Sequence, residues 1–229
     1  MEHGSARFYV SEAWGKDWPS DYRGYRLLEI VAEDDRVKLV PYSDAHFDLH
    51  FKIRLELYPV MTKILAAHEG MKADYRRMIS EESPDLKILV FDNVENRLVG
   101  EVVAQPPADG VIELGWDILP DCQRRGYATG AARLLMEMLM KRSDCTGFRA
   151  VVEAGNTASK ALCRKLGGVP RAVEELIVAR AFGEDSARRF EVEHRGLITD
   201  EVAEEARIFG IEPEKLLTHA LVFSIPASS

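Results

Sequence analysis

The spacing of apolar residues changes from segment to segment along this chain, and each spacing predicts an element. In "YRLLEIVAEDDRVKLVPYS" two short apolar runs flank a Glu-Asp-Asp turn, predicting two strands, the second over 36–41. "DAHFDLHFKIRLELYPVMTKIL" and "EGMKADYRRMISEE" repeat Phe, Leu, Ile and Met at helical intervals, and Pro59 interrupts the first. "LKILVFDNVENRLVGEVVAQPP" reads as a hairpin, and "GVIELGWDILP" as a strand ended by Pro120. A long amphipathic helix follows to about Arg142, with Ala131, Ala132, Leu135, Met138 and Leu139 on its apolar stripe and Arg133, Glu137 and Lys141 on its wet one.

"FRAVVEA" is then a strand, and "NTASKALCRKLGG" a short helix stopped by Gly167 and Gly168. "AVEELIVAR" and "THALVFSIP" are two closing strands. Between them lies a polar insertion with a helix capped by Thr199 and ended by Gly210. The order of elements predicts a mixed α/β fold. We expect an N-terminal extension over 1–25 packing on one domain over 26–229, with the insertion at about 181–215.

Composition narrows the class. Hydrophobic residues make up 46% and charged residues 30%, as in a globular protein, and the net charge of −8 argues against general affinity for nucleic acid or anionic membrane. Cys122, Cys145 and Cys163 are odd in number and form no CxxC pair, which suits a reducing cytosol and suggests neither disulfides nor a metal site. With no signal peptide and no apolar run of roughly 20 residues, the expected location is cytoplasmic.

The candidate chemistry sits in "ILPDCQRRGYATGAARLLMEMLM", a strand, turn and helix. The first turn of a helix has amide hydrogens without intrahelical partners, and the peptide dipoles add about half a positive charge there. Gly126 and Ala128 let a ligand approach the backbone, and Arg124 and Arg125 add full charges. Such a turn seats an anion with two or more phosphoryl groups. A surface turn carrying two solvated arginines is the alternative. A P-loop would need Gly-Lys-Ser or Gly-Lys-Thr, and a dinucleotide fingerprint three spaced glycines; neither is present.

Gln123-Arg124-Arg125-Gly126-Tyr127-Ala128 resembles the coenzyme-A signature of the GCN5-related N-acetyltransferase (GNAT) family. "ELGWDILP" before it and "VVEAGNTASKALCRKLGG" after it match that family's flanking segments, and "NTAS" is similar to the branch that acetylates ribosomal-protein N-termini. The resemblance is strong over 111–168. It implies a central, mostly antiparallel sheet splayed between the fourth and fifth strands and flanked by helices. The implied activity is transfer of an acetyl group from acetyl-CoA to a primary amine, in a peptide N-terminus or a small molecule, by direct attack. A catalytically silent acyl-CoA sensor is the alternative, and the protein would be a monomer or homodimer.

By the same resemblance, Gln123, Arg124, Arg125, Gly126, Tyr127, Ala128 and Thr129 hold the pyrophosphate. A bulge near Asp117 and Ile118 opens the strand, the Ile118 amide polarises the thioester carbonyl, and Asn156 contacts the pantetheine. Many family members carry a Tyr seven residues after this Asn. Here Cys163 stands there, so Ser159 is the candidate acid. Strand alternation puts Glu113 and Asp117 on one face of "IELGWDI", and Glu113 is the first candidate base, ahead of Glu101 and Glu153. Asn156 as a helix cap, with Ser159 in the first turn, is the local reading of that pair. For the acceptor amine, the early helices offer His46, His50, Tyr58 and Glu69, and the acidic helix over 200–205 offers a cationic-substrate rim.

Overall fold

The computed structural model describes residues 7–10, 30–83, 85–105, 110–141, 145–176 and 183–227. The chain divides into two compact units, Met1–Thr146 and Gly147–Ser229.

In the first unit, six strands pair in chain order, every neighbour antiparallel: β1 (Arg7–Val10), β2 (Ile30–Glu33), β3 (Val37–Pro41), β4 (Leu86–Asp92), β5 (Leu98–Ala104) and β6 (Val111–Ile118). Three helices lie between β3 and β4: α1 (Phe47–Leu57), α2 (Pro59–Ala67) and α3 (Glu69–Arg77). Pro59 opens α2, where the missing N–H costs nothing, so the expected interruption is a true helix boundary. Most of the expected extension lies outside the described residues; 7–10 form β1.

The register places two rows of side chains on opposite faces. Val40, Leu89, Glu101 and Asp117 stand side by side across β3 to β6, while Leu39, Val90, Gly100 and Ile118 form the alternate row. Helix α4 (Tyr127–Met140) covers the face of the second row, burying Ala131, Ala132, Leu134, Leu135, Met138 and Leu139. Arg133, Glu137 and Lys141 are exposed, as the pattern predicted. Helix α1 covers the other face, burying Phe47, His50, Phe51 and Ile53.

The second unit has three antiparallel strands, β7 (Gly147–Glu153), β8 (Val169–Glu175) and β9 (His219–Pro226), with β9 in the middle. Helix α5 (Thr157–Lys165) precedes β8, and its turn at Gly167 has φ +78. The insertion carries α6 (Glu184–Glu193), which the sequence reading did not resolve, and α7 (Asp200–Phe209). Thr199 Oγ1 accepts the Val202 N–H at 3.3 Å, and Gly210 ends α7 at φ +65, both as expected.

Lys160 of α5 has no exposed side-chain surface, and its Nζ lies 3.1 Å from Glu201 and 3.0 Å from Glu205, both on α7. Arg164, one turn on, reaches the same two carboxylates. A buried ammonium is tolerated only when paired, so this clamp fixes the insertion helix to α5. Lys160→Ala would leave the buried Glu205 with only the longer contact to Arg164, at 3.4 Å. We expect a loss of about 3 kcal/mol in urea unfolding, and a loss below 1 kcal/mol would refute the clamp.

Candidate active site

A short turn, Pro120–Cys122, separates β6 from α4. The four residues that follow carry two left-handed conformations, Arg124 at φ +60 and Gly126 at φ +85. Gly126 tolerates this without cost, and the bend turns the chain abruptly into the helix. The first amide of this segment to donate into α4 is that of Gly130, to the Gly126 carbonyl at 3.0 Å. The amides of Tyr127, Ala128 and Thr129 belong to the first turn, which has no intrahelical acceptors for them. Gln123, Arg124, Arg125 and Gly126 are exposed, and Ala128 and Thr129 half-buried.

Two features of this seat were not read from the sequence. The guanidinium of Arg36, just before β3, lies against Gly126, where an added Cβ would meet its Nη1 at 3.2 Å. The same guanidinium sits 5.2 Å from the centre of the Tyr127 ring. Arg36 therefore joins Arg124 and Arg125, the two residues that precede Gly126, in bringing positive charge to the helix start. The Tyr127 hydroxyl donates to the Asp92 carboxylate, which anchors that ring in the core rather than at a reacting atom. The Gln123 side chain is also committed, its Nε2 donating to the Ile118 carbonyl at 3.0 Å.

At the end of β6, hydrogen-bond parity decides where each amide points. The Leu119 N–H donates to the Val99 carbonyl, and the Gln105 N–H to the Glu113 carbonyl, so residues 113, 115, 117 and 119 pair with β5. Ile118, opposite Gly100, is the intervening position, and its N–H points away from β5. The bulge expected at Asp117–Ile118 is absent from this pairing, which runs unbroken from Leu114 to Ile118; the register shift lies in β4 at Val90/Phe91. Close approach replaces it: a Cβ on Gly100 would lie 2.2 Å from the Asp117 carbonyl oxygen. Only glycine lets the strand end fold in so tightly.

On the α1 face, Glu101 is buried, with 1% of its surface exposed, and each of its carboxylate oxygens has a partner. His50 Nδ1 lies 2.7 Å away, and His50 Nε2 meets the Tyr75 hydroxyl at 2.9 Å. Arg54 bridges Glu101 and Asp117, and the Tyr58 hydroxyl donates to Asp117 Oδ1 at 2.9 Å. Burial pushes the Glu101 carboxyl up, but the hydrogen bond and charge of His50 and the Arg54 guanidinium outweigh it and hold the group below its ordinary 4.5. Burial and the neighbouring Asp117 carboxylate raise the Tyr58 phenol to about 12, so it keeps its proton. Glu113 stands toward the other end of β6 on the same face as Asp117, half-buried.

In the second unit, Asn156 Oδ1 accepts the Ser159 N–H at 3.0 Å, so the local capping reading is realised. That bond uses the backbone of Ser159, not its hydroxyl. Cys163 is fully buried and its thiol is pushed up to about 12 by burial, which makes it a core residue. The acidic rim expected over 200–205 is largely spent: Glu201 and Glu205 bind Lys160 and Arg164, and Glu204 binds Arg207. Among the described residues no cluster of three or more His, Cys, Asp or Glu could hold a metal, and no helix is long and apolar enough to cross a membrane.

A family model described as the acetyltransferase (GNAT) domain matches residues 36–169. The chain belongs to the GNAT acetyltransferase family. Solved GNAT structures share its fold at low identity. A GNAT-family acetyltransferase from Bacillus anthracis is 15% identical, covering 87% of this chain and 99% of its own, with a TM-score of 0.55. A GCN5-related N-acetyltransferase from Brucella melitensis is 18% identical over 86% and 79%, TM-score 0.55. RimL, a ribosomal L7/L12 alpha-N-protein acetyltransferase in complex with coenzyme A, is 11% identical over 85% and 96%, TM-score 0.53. No curated protein matches by sequence.

The GNAT match begins at Arg36, the residue that closes over Gly126. The sheet face behind it depends on Glu101 staying charged. That charge stabilises the fold above pH 4.5 and the benefit is lost as pH falls through the depressed folded value. Glu101→Gln should therefore be less stable than the parent at pH 7, with the gap narrowing below pH 4.5. Urea midpoints measured from pH 7 to pH 3 check this, and a gap independent of pH would refute it.

Proposed function

We propose that this GNAT protein is an acetyl-CoA-dependent N-acetyltransferase acting on a primary amine by direct attack within a ternary complex. The observation that carries the reading is the start of α4: amides of the first helical turn, a left-handed Gly126, and Arg36, Arg124 and Arg125 bringing positive charge to it. The seat suits a diphosphate. Its donors are backbone groups that need no reorganisation, its cations match the charge, and a side chain at 126 would fill it. Arg36, Arg124 and Arg125 take the charge of the phosphates while the amides of Gly126 to Thr129 fix their position.

Acetyl-CoA supplies the activated acyl group as a thioester. The Ile118 N–H, turned away from β5, is the donor we assign to the thioester carbonyl, where negative charge gathers as the amine adds. The amine forms the new C–N bond, the C–S bond breaks, and the proton shed by the nitrogen passes through water to the leaving thiolate, which departs as the free thiol of CoA. Holding the two reactants in contact removes up to about 7–11 kcal/mol of barrier. Glu113 lies five residues from Ile118, about 16 Å along the strand, so a proton from the amine reaches it only through water.

Gly126→Glu tests the seat. The new carboxylate would occupy and repel the phosphate position, and CoA affinity in calorimetric titration should fall by about two orders of magnitude or more. Because residue 126 is exposed, the cost to folding should be about 1–2 kcal/mol, from the left-handed backbone. Unchanged affinity would refute the placement. CoA binding without acetylation of any amine would favour the silent sensor instead.

A further inference from the structure

Asp117 is the residue before Ile118, and its side chain lies on the α1 face of β6. It is held from both sides. Arg54 binds its Oδ2, and the Tyr58 hydroxyl donates to its Oδ1 at 2.9 Å. Arg54 is itself pinned, since the same guanidinium binds the buried Glu101, whose other oxygen is taken by His50. The guanidinium also lies 4.9 Å from the centre of the Tyr58 ring, which orients that ring beside the carboxylate. Residues from α1, α3, β5 and β6 thus fix one carboxylate in one orientation.

Accessibility changes along this chain of contacts. The Glu101 side chain is 2% exposed, Arg54 22% and Asp117 21%, and Tyr58 is 48% exposed as a residue. The network is closed at Glu101 and open at Asp117. Two carboxylates face one guanidinium, and the wet end of the cluster is the Asp117 carboxylate. Each carboxylate oxygen offers about two acceptor sites, so Arg54 and Tyr58 leave Asp117 room for a further donor. Tyr58 is no rival for that role, because its proton is already committed to Asp117.

We propose that Asp117, set in place by Tyr58 and Arg54, receives the ammonium group of the acceptor, so that the substrate class is a cationic primary amine. This rests on the acyl-transfer reading, because it uses the position of Asp117 next to the Ile118 amide. Asp117 touches the substrate; Arg54 and Tyr58 are positioning residues that act through it. The acceptor binds as R–NH3+ against this carboxylate, loses one proton to solvent water, and attacks as R–NH2.

The test uses the full chain with acetyl-CoA and three probe amines: a tripeptide amide with a free α-amine, spermidine, and aniline, which is uncharged at pH 7.5. In the parent, at least one of the two cationic amines should be acetylated with a kcat/KM above that of aniline. Asp117→Asn keeps the shape and the bond from Tyr58 but removes the charge. It should lower kcat/KM for the cationic amine by about 10- to 100-fold, chiefly through KM, the loss expected for one hydrogen bond to a charged group. Aniline, which brings no charge to the carboxylate, should lose several-fold less than the cationic amine, and CoA affinity should stay within about twofold. Tyr58→Phe, which leaves the charge, should give a smaller loss of the same kind and serves if the first variant folds poorly.

A KM for the cationic amine that Asp117→Asn leaves unchanged would overturn the ammonium assignment while CoA binding stands. Preference for aniline in the parent would do the same. Failure of the parent to bind CoA would remove the acyl-transfer reading itself, and the assignment with it.

Discussion

A carboxylate buried in the middle of an apolar strand must find its counter-charges where it sits, and Glu101 imposes that requirement on everything around it. Left unpaired, such a group would neutralise or unfold the sheet. Its partners are His50 and Arg54, one helical turn apart on α1, so meeting the requirement also lays α1 along β5 and β6. Because Arg54 has donors to spare, it extends the pairing one strand further, to Asp117. Apolar packing of Phe47, Phe51 and Ile53 supplies area, but these side chains would tolerate rotation of the helix. The ion pairs would not. They fix the helix in register with the strands, which is the use of buried charge best supported on physical grounds.

The opposite face is built on another principle. A broad stripe of Ala, Leu and Met packs α4 onto β3, β5 and β6, and its start is set by local backbone geometry at Arg124 and Gly126. Tyr127 adds a polar tie, through Asp92 at the far end of β4. A stripe of small and flexible residues lets the helix sit close to the sheet, and that closeness brings Arg36, at the start of β3, over Gly126. The phosphate seat we propose in this unit would thus be assembled from one turn and one neighbouring strand end.

These two modes explain what could be read from the residues alone. The order and type of the elements, the boundary at Pro59, the caps at Thr199 and Gly210, and the turn at Gln123 to Ala128 all depend on contiguous residues, and all were legible. Arg36 was not, because its place over Gly126 follows from strand pairing. The Arg54 bridge was not, because its partners lie 47 and 63 residues away. A signal did exist. A lone Glu in "LVGEVVA" announces a buried charge, and His50 and Arg54 recur at helical spacing on α1, with Tyr58 just past its end. The bulge expected from the family resemblance has no counterpart in the pairing of β6 with β5. Glycine at 100 achieves a tight strand end by removing a side chain instead of adding a residue.

Both modes converge on two consecutive residues, and the pleat explains why consecutive residues suffice. In an antiparallel pair, alternate residues exchange hydrogen bonds with the neighbour and alternate side chains change face. Asp117 is a paired position, so its backbone is fixed against Glu101 and its carboxylate is presented to α1. Ile118 is unpaired toward β5, so its side chain enters the α4 face while its amide turns outward. A slip of one residue would exchange these assignments, putting the carboxylate in the apolar layer and pairing the amide. The Leu119 bond to Val99, the close contact at Gly100 and the Arg54 bridge all resist that slip from different directions. Much of the sheet's polar chemistry therefore serves to keep one strand from moving by 3.3 Å, about one residue's rise.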